Sequence, residues 1–564
     1  GADDSYLGYI RLKPGVFPEQ INQKIPALLP KYIDVERERK QGFEMELYIK
    51  PVSEIYTQST EVKRMVVIMS VLAFALLFVA AMNYILNSVS SLPIRARSVG
   101  VHKCNGASSK DIFNMFLFET AALFVVALVC MALLLFAFRE YVADMAAVPT
   151  LGTLLNAQTI WLPAIMILAI FILSALLPAR LFSVIPVTQV FRVSTSGKQG
   201  WKRSLLFIQF GGIAFVITLL VIVLLQYDRL MNNDLGYDPE NIVYAPLNNM
   251  DDPKTAKLTA EFKKLPYVMA TGLSSMDILS GYGGFPILDN EKNWLFTARQ
   301  VNYNADYLSL MKIPLLEGQP LKGDGDILVN ESFVSKRGWT DGAIGKYIYD
   351  DEGNLKGKIV GVTRDFMVNS FFTPQLPVIM FGSDRMSYCN FTVRVSELTP
   401  EYLREMNDRI AELFPDEDVG FTVLKTIIES QYEGTRHFRD GVFVASIAIL
   451  LIILMGLLGY ITDERHRRSK EIAIRKVNGA TAPNILRLLS KDVLVTAFPA
   501  ILLGVIASRV VGESWLRQFA DKIPLTVFIF ISTALLVLAI IWGCVILKSW
   551  NIANENPVRS IKNE

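Results

Sequence analysis

Seven apolar runs divide the chain, approximately Met65 to Leu86, Phe116 to Phe138, Ile160 to Leu177, Leu205 to Leu225, Val442 to Ile461, Val493 to Val511 and Leu525 to Leu547. A helix needs ~20 apolar residues to cross ~30 Å of hydrocarbon, so each run predicts a membrane span. The run at Val493 is the weakest, because Pro499, Gly504 and Arg509 interrupt it. Between the fourth and fifth runs the pattern changes to short β-rich stretches, such as Asn241 to Ala245, Asp326 to Val329, Lys358 to Val362, Val378 to Phe381 and Asn390 to Arg394. These alternate with helical patterns. The clearest is Pro400 to Phe414, with Leu403, Met406, Ile410 and Leu413 on one face. The reading is a mixed α+β domain between spans. From Lys425 the pattern stays helical through Tyr432 and Phe438 into the span at Val442, without a proline, which predicts a continuous rod.

The same plan occurs twice. Ser98-Val-Gly-Val-His-Lys-Cys-Asn-Gly-Ala107 and Glu471-Ile-Ala-Ile-Arg-Lys-Val-Asn-Gly-Ala480 each lie between two apolar runs. With Asn105 laid on Asn478, Tyr56 falls near Tyr432 and Pro186-Val187 near Pro557-Val558. The stretch from Tyr9 also echoes the one from Phe391. The second half reads as span, large domain and three more spans. The first half begins inside its domain, so the expectation is a missing span and part of a domain before Gly1. The expected boundaries are a first outer domain over 1–62, a three-span membrane domain over 63–180, a cytoplasmic linker over 181–204, a span over 205–225, the second outer domain over 226–440, and a three-span membrane domain with tail over 441–564.

Composition supports the membrane class: 52% of the 564 residues are hydrophobic and the net charge is only +2, which suggests no polyanionic partner such as nucleic acid. Lys and Arg gather in one set of loops, around Arg95 to Lys110, Arg180 to Arg203, Arg465 to Lys491 and after Lys548. Because such loops are retained in the cytoplasm, residues 1–62 and about 226–440 are expected outside. Asn83, Glu119, Gln209 and Arg509 are expected near span ends, where snorkelling lowers their cost. The four cysteines read as small apolar fillers, with Cys389 alone outside.

Chemistry is sparse. The three histidines have no second His or Cys at metal-ligand spacing, and no nucleophile elbow appears. Gly342-Ala-Ile-Gly-Lys346 lacks the Ser or Thr of a phosphate loop, and Asp350-Asp351-Glu352-Gly353 reads as a solvated turn. No catalytic, cofactor or metal site is assigned. The informative element is the repeated loop, a short helix over Lys470 to Val477 that Asn478-Gly479 stops, followed by Thr481 as the cap of the next helix with Pro483 in its first turn. An interfacial helix held by anionic lipid is the plain alternative.

The run ERHRRSKEIAIRKVNGATAPNILRLLSKDV, with Ile327 to Glu331, Gly345-Lys346, Ile359 to Asp365 and the closing Asn556-Pro-Val-Arg559, resembles the FtsX/MacB-type permeases of ABC transporters over nearly the whole chain. It is most similar to the duplicated form common in Bacteroides-like bacteria. The resemblance implies a helical membrane protein, seven spans here and four-plus-four in an intact chain, with α+β periplasmic domains of MacB type in the bacterial inner membrane. It implies a non-enzymatic permease subunit that couples hydrolysis by a separate cytoplasmic ABC ATPase, in two copies, to movement of the periplasmic domains. ATP and magnesium would bind that partner. A periplasmic adaptor or outer-membrane partner and membrane lipids complete the implied contacts. By position, Glu471, Ile474, Arg475, Lys476 and Gly479 would meet the ATPase, with Val101, His102, Lys103 and Gly106 as first-half equivalents. Ser98 replaces the acid and His102 the arginine, so the first copy is expected to dock more weakly. Peptide or antibiotic export, lipoprotein release and control of wall hydrolases are all compatible. The alternative from another class is a receptor that senses an outside ligand and signals inward without transport.

Overall fold

A computed structural model of the protein describes residues 8–40, 46–52, 60–183 and 200–553, less 91, 147, 157–158, 249, 280–282, 290, 292, 351, 369–373, 384–385, 387 and 416–417. Tyr56, Pro186-Val187, Arg192, Lys198 and the tail from Asn554 lie outside these residues. Two units emerge: Gly1–Ser59 with Arg229–Glu433 and Gln518–Asp521, and Thr60–Asp228 with Gly434–Arg517 and Lys522–Glu564.

In the second unit, seven helices among the described residues are long and apolar enough to cross a membrane: Met65–Ile85, Ser109–Ala137, Trp161–Arg180, Arg203–Asn232, Glu433–Thr462, Ala482–Leu516 and Val527–Trp550. The interrupted run at Val493 is one helix, Ala482–Leu516, that passes through Pro499. Gly504 is a packing device in it. A Cβ there would lie 2.2 Å from the carbonyl oxygen of Gly211, and one on Gly512 would lie 2.8 Å from Ile222. Contacts advance together along both chains, so Gly200–Asn232 and Ala482–Leu516 run parallel with small residues between them, which is how helices approach closely in lipid. Snorkelling does not describe Asn83 or Gln209. Asn83 is buried and donates to the carbonyl of Ile452 at 2.7 Å, and Gln209 is 1% exposed. Both lie inside the helix packing rather than at its rim. Arg509 is exposed, its guanidinium 5.9 Å from the Phe530 ring.

The other unit carries an eleven-stranded sheet: β1 (Ile242–Leu247), β2 (Val268–Ser274), β3 (Gly283–Leu288), β4 (Trp294–Tyr303), β5 (Leu315–Gly318), β6 (Asp326–Asn330), β7 (Tyr347–Tyr349), β8 (Leu355–Thr363), β9 (Val378–Gly382), β10 (Cys389–Val395) and β11 (Thr422–Val423). The order is β11-β1-β10-β2-β4-β9-β6-β8-β5, with β3 on β4 and β7 on β8. Helices Asp252–Lys263 and Pro400–Leu413 connect β1 to β2 and β10 to β11, which makes two interleaved β-α-β units of the split type. β3 through β9 are inserted between them. The link is narrow, since β2 meets β4 through one residue pair, Ser274 with Tyr303.

Each lobe has its own core. Val243, Phe262, Phe391, Met406 and Ile410 centre the first, and Phe296, Ile327, Phe333, Ile359 and Ile379 the second. Helix Pro400–Leu413 forms as its pattern dictates. Thr399 accepts from the Tyr402 N–H at 3.2 Å with Pro400 at the first helical position, while Met406 and Ile410 are fully buried. Arg394, 7% exposed, donates to the carbonyls of Leu310, Asp238 and Glu240 and to the Asp238 carboxylate, so each of its three nitrogens has a hydrogen-bond partner.

The expected rod is broken. Helix Leu424–Gln431 ends at Tyr432, with φ −103° and ψ 8°, before helix Glu433–Arg467 starts. The Tyr432 ring is buried and its hydroxyl reaches the Met367 sulfur at 3.7 Å. Cys389 is not an accessible outside thiol, being 1% exposed in β10, where burial raises its pKa to about 11. Asp350 forms the expected turn by accepting the N–H groups of Glu352 and Asn354 at 3.1 and 2.7 Å. Gly342 and Gly345 are also turn residues, with φ of +87° and +90°, and Lys346 pairs with Asp341.

In the first stretch, Tyr9 and Ile10 are exposed and no strand forms among the described residues. One bond does recur. Ile21-Asn22 and Met406-Asn407 occupy the same phrase, and the two Asn Oδ1 atoms accept the N–H of Ile49 and Phe421, both at 2.7 Å.

Candidate functional site: two matched helical corners

The repeated phrases form the same corner. Helix Leu92–Cys104 precedes Ser109–Ala137, and helix Ser469–Val477 precedes Ala482–Leu516. Gly106 and Gly479 take left-handed φ of +93° and +87°. The N–H of Ala107 bonds the carbonyl of His102 at 3.0 Å and that of Gly106 bonds Lys103 at 3.1 Å. In the second copy Ala480 bonds Arg475 at 2.9 Å and Gly479 bonds Lys476 at 3.0 Å. This six-to-one plus five-to-two pair is a Schellman stop, and glycine supplies the left-handed residue without strain.

The faces match as well. Val99 and Ile112 are buried in the first copy, and Ile472 and Ile485 take those places in the second. Val101 and Ile474 are 55% and 61% exposed at matching positions, and Val477 is 69% exposed one turn beyond Ile474. Each corner therefore turns two aliphatic side chains into the protein and presents Val101 or Ile474 outward.

The polar residues differ. Arg475 donates to Glu471 at 2.7 Å, four residues back on the same exposed face. Such a pair adds only ~0.3–0.5 kcal/mol to a helix. Ser98 and His102 stand at these positions in the first copy, which lacks the pair. Lys103 donates to the carbonyl of Ser183 at 2.9 Å, closing the last turn of Trp161–Ser183. The following caps also differ. Ser108 and Asp111 form a reciprocal capping box, whereas Thr481 holds the cap position without a side-chain bond and Pro483 follows in the first turn.

Sequence reading missed how the second helix is rooted. Arg468, just before it, pairs with Glu464 and with Asp492, and Asp492 also receives Arg203 at 3.3 Å. Three helices, Gly200–Asn232, Glu433–Arg467 and Ala482–Leu516, thus meet at the base of Ser469–Val477. Arg95 and Glu119 stand where Arg468 and Asp492 do, a correspondence the repeat register already contained. Among the described residues no group of three or more His, Cys, Asp or Glu residues could hold a metal.

The family model described as FtsX-like permease C-terminal matches residues 70–187 and 443–557, each of which includes one corner. No curated protein matches the chain. The periplasmic region of MacB from Actinobacillus actinomycetemcomitans is a structural neighbour at 13% identity and TM-score 0.27, over 36% of this chain and 97% of that one. A domain of a putative permease from Porphyromonas gingivalis aligns at 14% identity and TM-score 0.26, over 34% and 98%. The extracellular domain of the noncanonic ABC-type transporter YknZ from Gram-positive bacteria aligns at 10% identity and TM-score 0.24, over 32% and 98%. The two family matches make this chain similar to FtsX-like permeases over two separate stretches of its apolar helices.

Proposed function

We propose that the chain couples ATP hydrolysis by a separate cytoplasmic ABC ATPase to movement of its periplasmic sheet domain, docking the ATPase through the two corners. The observation that carries this reading is the exposed aliphatic residue, Val101 or Ile474, held at the same place on a helix that ends in the same backbone stop. A partner presenting one surface twice needs such a pair. The basic loops support a cytoplasmic position for both corners and a periplasmic one for the sheet domain. Gly106 and Gly479 fix the corner angle, while Arg475, Lys476 and Glu471 fringe the second contact. Lys103 supports the first from within, and Ser98 with His102 leaves it without a counterpart of the Arg475–Glu471 pair.

The test measures affinity of the nanodisc-embedded chain for its ATPase. Ile474→Asp places a charge where an apolar contact is needed and should weaken binding at least tenfold, equivalent to ~1.4 kcal/mol. Arg475→Glu should also weaken it, both by repelling Glu471 and by reversing the fringe charge, whereas His102→Glu should cost less, because Ser98 rather than an acid stands four residues back. Unchanged affinity in all three variants would refute docking at the corners.

A further inference from the structure

Beside the second corner lies an open groove of about 600 Å³, lined by Arg475, Asn478, Asn484, Arg487 and Lys491 among others. Arg475 shares its charge with Glu471, but Arg487 and Lys491 are exposed and make no ion pair among the described residues. The first corner has the same backbone and keeps Asn105 for Asn478, but it lacks the three basic side chains at their matching positions. His102 stands for Arg475, Asp111 for Asn484, Asn114 for Arg487 and Phe118 for Lys491, with Lys110 at the place of Pro483. Phe118 is 73% exposed, an aromatic side chain where the other copy has a cation.

We propose that this groove binds the headgroup of an anionic phospholipid, on the second half only. The depth of the groove chooses lipid over a protein partner. Lys491 lies two residues before the apolar run at Val493, and Arg487 one turn further out, ~6 Å along the helix, which matches one headgroup layer. Arg475 and the two asparagine amides complete a donor-rich wall suited to a phosphodiester. The inference does not depend on ATPase docking.

The experiment places the full chain in nanodiscs of phosphatidylcholine with or without phosphatidylglycerol and counts retained lipid by native mass spectrometry. Wild type should retain one phosphatidylglycerol more than the double variant Arg487→Gln/Lys491→Gln. A basic residue near an anionic surface is worth roughly fivefold, so the pair should lower apparent affinity about 25-fold while phosphatidylcholine retention stays constant. Grafting His102→Arg, Asn114→Arg and Phe118→Lys onto the first corner should add one retained phosphatidylglycerol. Equal retention by wild type and the double variant would overturn the proposal, as would a graft that retains no more. Displacement of the lipid by inorganic phosphate would make the free anion the occupant and overturn it. So would a double variant that loses ATPase binding but keeps its lipid.

Discussion

At the residue scale, charge in the sheet domain is placed to be bonded. The side chain of Asp350 is largely enclosed by its turn. Burial there pushes its pKa upward, yet the N–H of Asn354 and the Lys356 ammonium at 3.0 Å outweigh it and hold the carboxyl at about 2. A depressed carboxyl stabilises the fold above the unfolded pKa of ~3.9 and loses that contribution as pH falls through the folded value. Asp350→Asn should therefore be less stable than wild type at neutral pH. The margin should be complete above about pH 4 and should close near about pH 2. Thermal unfolding of both chains across this range checks it, and a margin independent of pH would show that the charge is not responsible. Asp289 builds a matching turn, accepting from the N–H groups of Glu291 and Asn293, both at 2.8 Å, and its pKa is lowered too.

At the element scale, what sequence reading could see follows from what each element needs. β6, β8, β9 and β10 are runs of Val, Ile and Phe and were legible. β2 was not, because Gly272 sits where a Cβ would press on Tyr307 at 3.1 Å, and the strand reads as Ala, Thr, Gly and Ser. β3 carries Pro286, tolerated because among the described residues it pairs with β4 alone. The corners were legible through Asn-Gly, whereas the groove was hidden because half of it lies on the next helix. Gly504 misled in the other direction, looking like a break when it is a contact. Gly504→Leu should cost roughly 1–3 kcal/mol by forcing the helices apart. Met131, the first-half equivalent, is 41% exposed, so Met131→Leu should be nearly neutral. Denaturation of the two variants side by side decides it, and a harmless Gly504→Leu would contradict the parallel packing.

At the scale of the whole molecule, sidedness rests on the basic loops and can be tested with thiols. Cys389 is buried and protonated, so it should stay unlabelled by an impermeant reagent whichever side it faces. A cysteine placed at exposed Glu401 should label in intact cells, while Cys104, also exposed, should label only after permeabilisation. The opposite pattern would invert the topology.

The Schellman stop has a consequence for how such a chain can change. Its bonds are all backbone to backbone, so the corner angle is set by one left-handed glycine and is indifferent to the side chains around it. Geometry and surface chemistry are separate variables here. One corner can therefore be rewritten from His102, Asn114 and Phe118 to Arg475, Arg487 and Lys491 while the direction of the span that follows is left unchanged.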